Sequence, residues 1–199
     1  AISGKYRNAG QTCICINRFL VHEKISEKFT ERLVSRSREL ILGNGLDEKT
    51  DLGPLISDQA CAKVSALVSS ALREGSILAL GPAPGPAPDA GSRFISPVVL
   101  TNVQPSMQIW QEEIFGPVCT VTTFKSEAEA ISLANDTTYG LAAYLYSSNL
   151  SRALALAEQL DFGMVGINDT AISAVQAPFG GVKQSGFGRE GSRYGIDDY

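Results

Sequence analysis

Segments of two kinds alternate along this chain. Short runs rich in β-branched and apolar residues, such as residues 14–21 (ICINRFLV) and 118–124 (VCTVTTF), are typical of strands. Between them lie longer stretches whose apolar residues recur every three or four positions, as in amphipathic helices. Because parallel strands need helical crossovers, this alternation predicts an α/β fold with a mostly parallel sheet and helices on both of its faces.

The same patterns give the bounds of the elements. The predicted strands cover residues 14–21, 77–80, 97–101, 118–124, 142–146 and 164–167. The predicted helices cover residues 23–42, a segment after Ser57, a segment from Ser126 to about Asn135, and a segment starting near Leu150. Ser57 is a suitable N-cap, and Ser126 with Glu129 has the spacing of a capping box. Residues 81–92 (GPAPGPAPDAGS) are predicted to form a low-complexity surface loop.

Composition disfavours nucleic-acid and membrane partners. The 199 residues carry a formal net charge of −4, and their 17 Lys and Arg residues form no basic block. No apolar run approaches the roughly 20 residues that span a bilayer. The four cysteines fit no disulfide framework, and with the single histidine they form no zinc-site pattern. We therefore expect no metal site, and a reducing compartment such as the cytoplasm or the mitochondrial matrix.

Cys13 closes the sequence GQTC and is the first candidate nucleophile. A thiolate on a tight, accessible turn can attack an electrophilic carbon, and its own backbone N–H can face an oxyanion. The alternative is a small buried cysteine at the start of a strand. Cys15 follows at C-x-C spacing. It is either a redox partner of Cys13 or a packed residue. An extended strand would separate Cys13 from His22 by about 25–30 Å, so His22 is predicted to be a solvated loop residue rather than a dyad partner.

Two further motifs have competing interpretations. Residues 186–191 (GFGREG) match the dinucleotide-binding pattern G-x-G-x-x-G, but the residues before them are polar and no acidic residue follows at the required distance. We interpret this match as a Gly-rich loop. Residues 112–117 (EEIFGP) form either a solvated turn or a site where Glu113 holds a ribose hydroxyl and Phe115 faces a flat ring.

Taken together, GQTC at 10–13, EEIFGP at 112–117 and PFGGVKQSGFGRE at 178–190 resemble the aldehyde dehydrogenase superfamily, in the same order and spacing. YRNAGQTCIC at 6–15, GMVGIN at 163–168 and GREGSRYGIDDY at 188–199 are most similar to the succinate-semialdehyde branch. The resemblance implies a three-layer α/β/α catalytic domain over residues 1–199. It also implies NAD or NADP as cofactor, a small aldehyde substrate and a homo-oligomeric parent protein.

The resemblance also implies roles for individual residues. Cys13 would attack the aldehyde to give a thiohemiacetal, which loses a hydride to the nicotinamide and leaves a thioester for water to hydrolyse. Glu113 would bind the nicotinamide ribose, and Phe115 would lie beside the nicotinamide. The substrate-binding residues would be Arg7 and Ser173, which grip a distal carboxylate, and Phe179, which lines the substrate tunnel. Cys15 would be a possible redox partner of Cys13.

By the same resemblance, other parts of the machinery belong to segments outside this sequence. These are a nucleotide-binding domain on the N-terminal side, which carries the general-base glutamate, and an oligomerisation strand on the C-terminal side. We therefore expect residues 1–199 alone to show little dehydrogenase turnover. Two other interpretations remain at this point: a redox-sensing or binding module that uses Cys13 and Cys15, and a domain whose cysteines are structurally inert.

Overall fold

A computed structural model describes residues 1–82 and 92–199. The chain divides into two compact units, Ala1–Lys125 and Ser126–Tyr199. Most of the predicted loop at 81–92 lies outside the described residues. Among the described residues, no helix is both long enough and apolar enough to cross a membrane.

The first unit is built on a four-stranded sheet. Its strands are β1 (Phe19–His22), β2 (Ile77–Leu80), β3 (Val98–Thr101) and β4 (Val118–Phe124), in the spatial order β1-β4-β3-β2. β4 pairs in parallel with both β1 and β3, and only β2 is antiparallel to its neighbour β3. Residues 118–122 of β4 are all buried, as expected for a central strand covered on both faces.

Four α-helices accompany this sheet within residues 1–82 and 92–125. They are α1 (Ile2–Tyr6), α2 (Glu23–Arg38), α3 (Asp58–Arg73) and α4 (Gln108–Gln111). α2 packs against β1, β2 and β4, and α3 packs against α4. The apolar repeat after Ser57 predicts an inner face for α3, made of Cys61, Val64, Leu67, Val68, Ala71 and Leu72. The structure agrees: four of these residues are buried, and Val68 and Leu72 are half-buried. The Ser57 hydroxyl accepts a hydrogen bond from the Ala60 amide at 3.1 Å, as predicted for an N-cap.

The second unit contains two small sheets. β5 (Tyr139–Gly140) is antiparallel to β8 (Val182–Lys183), and β6 (Ala142–Leu145) is parallel to β7 (Met164–Ile167). Its helices are α5 (Glu127–Asn135) and α6 (Leu150–Ala157). The Ser126 hydroxyl accepts from the Glu129 amide at 3.2 Å and caps α5, as predicted. The α/β class and the mostly parallel pairing are therefore confirmed.

Two element predictions near the cysteines are wrong. The strand predicted at 14–21 begins only at Phe19, because the preceding backbone bonds elsewhere: the Ile16 amide donates to the Gly4 carbonyl, and the Asn17 carbonyl accepts from Thr120 Oγ1. The helix predicted at 23–42 already ends at Arg38. The argument that an extended strand joins Cys13 to His22 therefore fails.

His22 is also not a solvated loop residue. It is the last residue of β1, it is half-buried, and its ring meets the Phe124 ring edge-on with centroids 5.4 Å apart. Its Nδ1 accepts a hydrogen bond from the Lys24 amide at 3.2 Å, which caps α2. These contacts give His22 a structural role at the junction of β1 and α2.

Candidate active site

The segment of residues 7–15, here called the cysteine turn, follows an unusual backbone path. Asn8, Ala9 and Gly10 have φ angles of 50°, 55° and 79°, three successive residues in the left-handed region. L-residues adopt this region at a cost of about 1–2 kcal/mol each, so surrounding contacts must hold the path. Cys13 stands three positions after Gly10 and is exposed. The sequence therefore forms an accessible turn at Cys13 rather than a buried strand start.

Hydrogen bonds close the cysteine turn. The Gln11 amide and the Gln11 side chain both donate to the Asn8 carbonyl, at 3.1 and 3.0 Å. Gln11 Oε1 in turn accepts from the Ile56 amide at 2.9 Å, which ties the turn to the segment before α3. Hydrogen bonds within the turn and the bond to the Ile56 amide therefore both stabilise it.

Two glycines bring the cysteine turn against residues 112–117, here called the Glu113 loop. A Cβ placed on Gly10 would lie 2.2 Å from the Gly116 carbonyl oxygen and 2.5 Å from its carbonyl carbon. A Cβ on Gly116 would in turn lie 2.6 Å from Val64 Cγ2 on α3. The backbones of the two segments are therefore in contact, and only glycine at position 10 permits this separation.

The Asn17 side chain, two positions beyond the cysteine turn, also bonds to the Glu113 loop. Its Nδ2 donates to the Glu112 carbonyl at 2.9 Å, and its Oδ1 accepts from the Ile114 amide at 3.0 Å. The sequence analysis missed Asn17, because it counted this residue inside a continuous strand. An asparagine in the middle of an apolar run is disfavoured in strands, and that was the available signal.

Glu113 and Phe115 lie on one side of a shallow hollow. Ala60, Lys63, Glu113, Ile114 and Phe115 line it. The Glu113 side of the loop is exposed, whereas Ile114 is fully buried and anchors the loop in the core. Lys63 Nζ donates to the Glu113 carbonyl at 2.6 Å. Phe115 keeps 37 % of its surface exposed and has a positive φ of 53°. A carboxylate, an aromatic ring and an ammonium therefore line one hollow.

Cys15 is engaged within the cysteine turn. Its Sγ lies 2.8 Å from Thr12 Oγ1 and 3.6 Å from the Arg7 carbonyl oxygen. The second contact is to the backbone of Arg7, the first residue of the cysteine turn, whose side chain is exposed. Both cysteines lie in a turn rather than in a strand, so strand pleating does not set the directions of their side chains. All four cysteines are free thiols.

A buried polar cluster lies behind the turn. Tyr6 Oη pairs with Ser37 Oγ at 2.9 Å, and the Cys119 thiol donates to Tyr6 Oη at 3.4 Å. Burial raises the pKa of Cys119 to about 11 and raises the pKa of Tyr6, so both stay protonated at neutral pH. Lys5, only 1 % exposed, has a pKa lowered by burial. Cys61 and Cys119 are buried, as expected for packing residues.

Ser173 and Phe179 lie in the second unit. Ser173 is exposed. Phe179 is half-buried and exchanges two backbone hydrogen bonds with Glu190, at 2.8 and 2.7 Å. These bonds fold residues 179–190 into a Gly-rich loop, in which Arg189 Nη1 donates to the Gly181 and Phe187 carbonyls.

The G-x-G-x-x-G match at 186–191 does not form a dinucleotide fold. A two-residue strand precedes it and a 3-10 turn over Gly195–Asp198 follows it, instead of the α-helix that this motif requires. Its interpretation as a Gly-rich loop agrees with the structure. Among the described residues, no group of three or more His, Cys, Asp or Glu side chains is placed to hold a metal ion.

Comparison with known families gives the same answer as the motifs. A sequence model of the aldehyde dehydrogenase family matches residues 1–199. The chain belongs to the aldehyde dehydrogenase family. Over its full length it is 46 % identical to a mitochondrial succinate-semialdehyde dehydrogenase of Oryza sativa subsp. japonica, and covers 37 % of that protein. It is 48 % identical to a 3-sulfolactaldehyde dehydrogenase of Pseudomonas putida, and covers 40 % of it.

Solved structures of aldehyde dehydrogenases share this fold. A betaine aldehyde dehydrogenase of Staphylococcus aureus, solved in complex with NAD+, superimposes with a TM-score of 0.93 at 42 % identity, over 100 % of this chain and 40 % of the other. The chain therefore spans about 40 % of the length of the aldehyde dehydrogenases that it matches. These relatives are named for different aldehydes, so membership of the family does not identify a substrate.

Proposed function

We propose that this chain is the cysteine-bearing catalytic domain of an NAD(P)-dependent aldehyde dehydrogenase. The observation that carries the proposal is the contact between the cysteine turn and the Glu113 loop. Gly10 packs on the backbone of Gly116, so the turn that carries the exposed thiol and the loop that carries Glu113 and Phe115 are in direct backbone contact. A domain whose cysteines are inert needs no such junction.

Cys13 is the nucleophile in this proposal. Its sulfur bonds to the aldehyde carbon, and the carbonyl oxygen takes the negative charge, which the Cys13 backbone N–H helps to stabilise. Loss of a hydride from the adduct leaves a thioester on Cys13. Attack by water on the thioester then releases the carboxylic acid and the free thiol. A soft sulfur serves both steps, because it adds readily to the carbonyl and later leaves readily.

Glu113 and Phe115 hold the cofactor in this proposal. The Glu113 carboxylate accepts hydrogen bonds from the nicotinamide ribose, and Phe115 packs beside the nicotinamide. When bound, NAD or NADP supplies the hydride acceptor. The structure of the hollow supports this assignment, because Lys63 lies at the same hollow and bonds to the Glu113 carbonyl. We propose that a nucleotide-binding domain of the same parent chain holds the rest of the cofactor and supplies the general base.

The proposed substrate is succinate semialdehyde. Arg7 and Ser173 would bind its distal carboxylate, since a guanidinium pairs with a carboxylate in fork geometry and a hydroxyl adds a donor. Phe179 would line the tunnel that leads to Cys13. The similarity to the Oryza sativa enzyme supports this choice, and so does the exposed side chain of Arg7 within the turn that carries Cys13. The four free thiols agree with a reducing compartment, and we propose a homo-oligomeric parent protein that acts there.

A substrate series on the complete protein tests the proposal. We expect formation of reduced cofactor from succinate semialdehyde, a lower kcat/KM for an uncharged aldehyde of similar length, and loss of turnover in Cys13→Ala. Cys15→Ala is the matched control and should retain most of the activity. Equal activity of the Cys13→Ala variant and the wild type would contradict the assignment. An inactive wild type that forms a reversible Cys13–Cys15 disulfide would favour the redox module instead.

A further inference from the structure

The Glu113 loop has few backbone partners of its own. Residues 112–114 lie outside every strand, between the end of α4 and the start of β4. Buried or half-buried backbone groups need hydrogen-bond partners, and here side chains provide them. Asn17 bonds to the Glu112 carbonyl and the Ile114 amide, and Lys63 bonds to the Glu113 carbonyl.

Asn17 therefore holds the backbone on both sides of Glu113. Its amide acts as one donor and one acceptor at 2.9 and 3.0 Å, which fixes both peptide planes that flank this residue. The Asn17 backbone is itself fixed, because its carbonyl accepts from Thr120 Oγ1 of β4 at 2.8 Å. Asn17 is half-buried, and water has limited access to its side chain.

The two side-chain bonds of Asn17 are here called the Asn17 clamp. Asn17 also lies close in sequence to the nucleophile. Asn17 stands four positions after Cys13, and the segment between them is pinned by the bonds from Cys15 N to the Thr12 carbonyl and from Ile16 N to the Gly4 carbonyl. A displacement of the Glu113 loop is thereby resisted at two points: the Gly10–Gly116 contact and the Asn17 clamp. Positioning of this kind matters, because displacements of about 1 Å can cost about two orders of magnitude in rate.

We propose that Asn17 is a positioning residue that sets the orientation of Glu113 toward the cofactor. The inference rests on the proposed function, since it takes Glu113 as the ribose-binding carboxylate. Asn17 touches neither the cofactor nor the aldehyde and acts only through the backbone of the Glu113 loop. Its removal should therefore weaken nucleotide binding more than it alters the reactivity of Cys13.

Asn135 provides a matched control within the chain. Its Nδ2 donates to the Gln159 carbonyl at 2.8 Å, and its Oδ1 accepts from the Asp161 amide at 2.9 Å. This is the same two-bond arrangement across one intervening residue, placed at the end of α5, and its partners Gln159 and Asp161 are not residues assigned to the site. Asn135→Ala removes two side-chain bonds of the same kind as those that Asn17→Ala removes, but neither involves the Glu113 loop.

The experiment measures nucleotide affinity and thiol reactivity in the complete protein. Isothermal titration calorimetry with NAD+ and with NADP+ gives Kd, initial rates at saturating cofactor give kcat, and iodoacetamide labelling gives the reactivity of Cys13. We expect Asn17→Ala to raise Kd about tenfold, equivalent to about 1.4 kcal/mol, with kcat changed less than Kd and Cys13 labelling near the wild-type rate. Asn135→Ala should lower stability but leave Kd unchanged.

Asn17→Asp keeps the proposal testable if the alanine variant does not fold. It preserves side-chain size and the acceptor for the Ile114 amide but removes the donor to the Glu112 carbonyl, so its Kd should also rise. An unchanged Kd in Asn17→Asp overturns the positioning role of Asn17 but not the proposed function. So does a rise of Kd in Asn135→Ala equal to that in Asn17→Ala. A wild type that binds neither NAD+ nor NADP+ and oxidises no aldehyde overturns the proposed function and this inference with it.

Discussion

A methyl group at position 10 should separate the cysteine turn from the Glu113 loop. Gly10→Ala places a Cβ 2.2 Å from the Gly116 carbonyl oxygen, although ordinary contacts of this kind begin near 3.4 Å. The obstacle is backbone, so it cannot rotate away as a side chain would. The two segments must therefore move apart by about 1 Å, or the turn must refold.

The expected cost has two parts. Overpacking of this kind costs about 1–3 kcal/mol. The left-handed backbone, with φ of 79° at Gly10, costs a Cβ-bearing residue about 1–2 kcal/mol more. We expect Gly10→Ala to lower the free energy of unfolding by about 2–5 kcal/mol. The displacement should also reduce kcat/KM by about two orders of magnitude.

Urea unfolding and steady-state kinetics of the complete protein check these values. Gly75→Ala is the matched control, because Gly75 also has a positive φ, of 103°, but a Cβ there meets nothing within 4 Å. Gly75→Ala introduces the backbone strain alone. Its free energy of unfolding should therefore fall by only about 1–2 kcal/mol, and its kcat/KM should stay unchanged. Equal losses of stability and activity in the two variants would refute the contact between the cysteine turn and the Glu113 loop.

Three further predictions concern the helix cap, the thiols and the substrate. Ser57→Ala should lower the free energy of unfolding by about 1 kcal/mol through loss of the bond to the Ala60 amide, whereas Ser57→Asp should retain most of it in the same urea assay. In peptide mass mapping after alkylation at neutral pH, Cys13 should be labelled and Cys119 should not; labelling of Cys119 should rise only as the pH approaches about 11, because burial disfavours its thiolate. Arg7→Ala should weaken the binding of succinate semialdehyde by about 2–4 kcal/mol, measured as a higher KM, while leaving the KM for an uncharged aldehyde unchanged. Equal effects on both substrates would contradict the carboxylate assignment.

Local sequence patterns predict those elements whose structure depends on their own side chains. The face of α3 and the caps at Ser57 and Ser126 follow from spacing and from the hydrogen-bonding capacity of single residues. β4 was predicted at its observed bounds, because a central strand buried on both faces is apolar throughout. These features depend on neighbours within a few positions, which a single sequence displays directly.

The cysteine turn could not be predicted in this way. Its path depends on Gly10 meeting Gly116, on Gln11 bonding to Ile56, and on Asn17 bonding across nearly a hundred positions to the Glu113 loop. The apolar run ICINRFLV favoured one strand, but these long-range bonds leave only its second half in the sheet. The motifs GQTC and EEIFGP are each local in the sequence, whereas the backbone contact between them is visible only in the fold.

The most direct test concerns the covalent intermediate. The complete protein, mixed with succinate semialdehyde and NAD+ or NADP+, is quenched with acid during turnover and digested for peptide mass analysis. The account predicts a succinyl thioester on the peptide that carries Cys13, absent in Cys13→Ser and retained in Cys15→Ser. Turnover without an adduct on Cys13, or an adduct on another cysteine that persists in Cys13→Ser, would contradict the account.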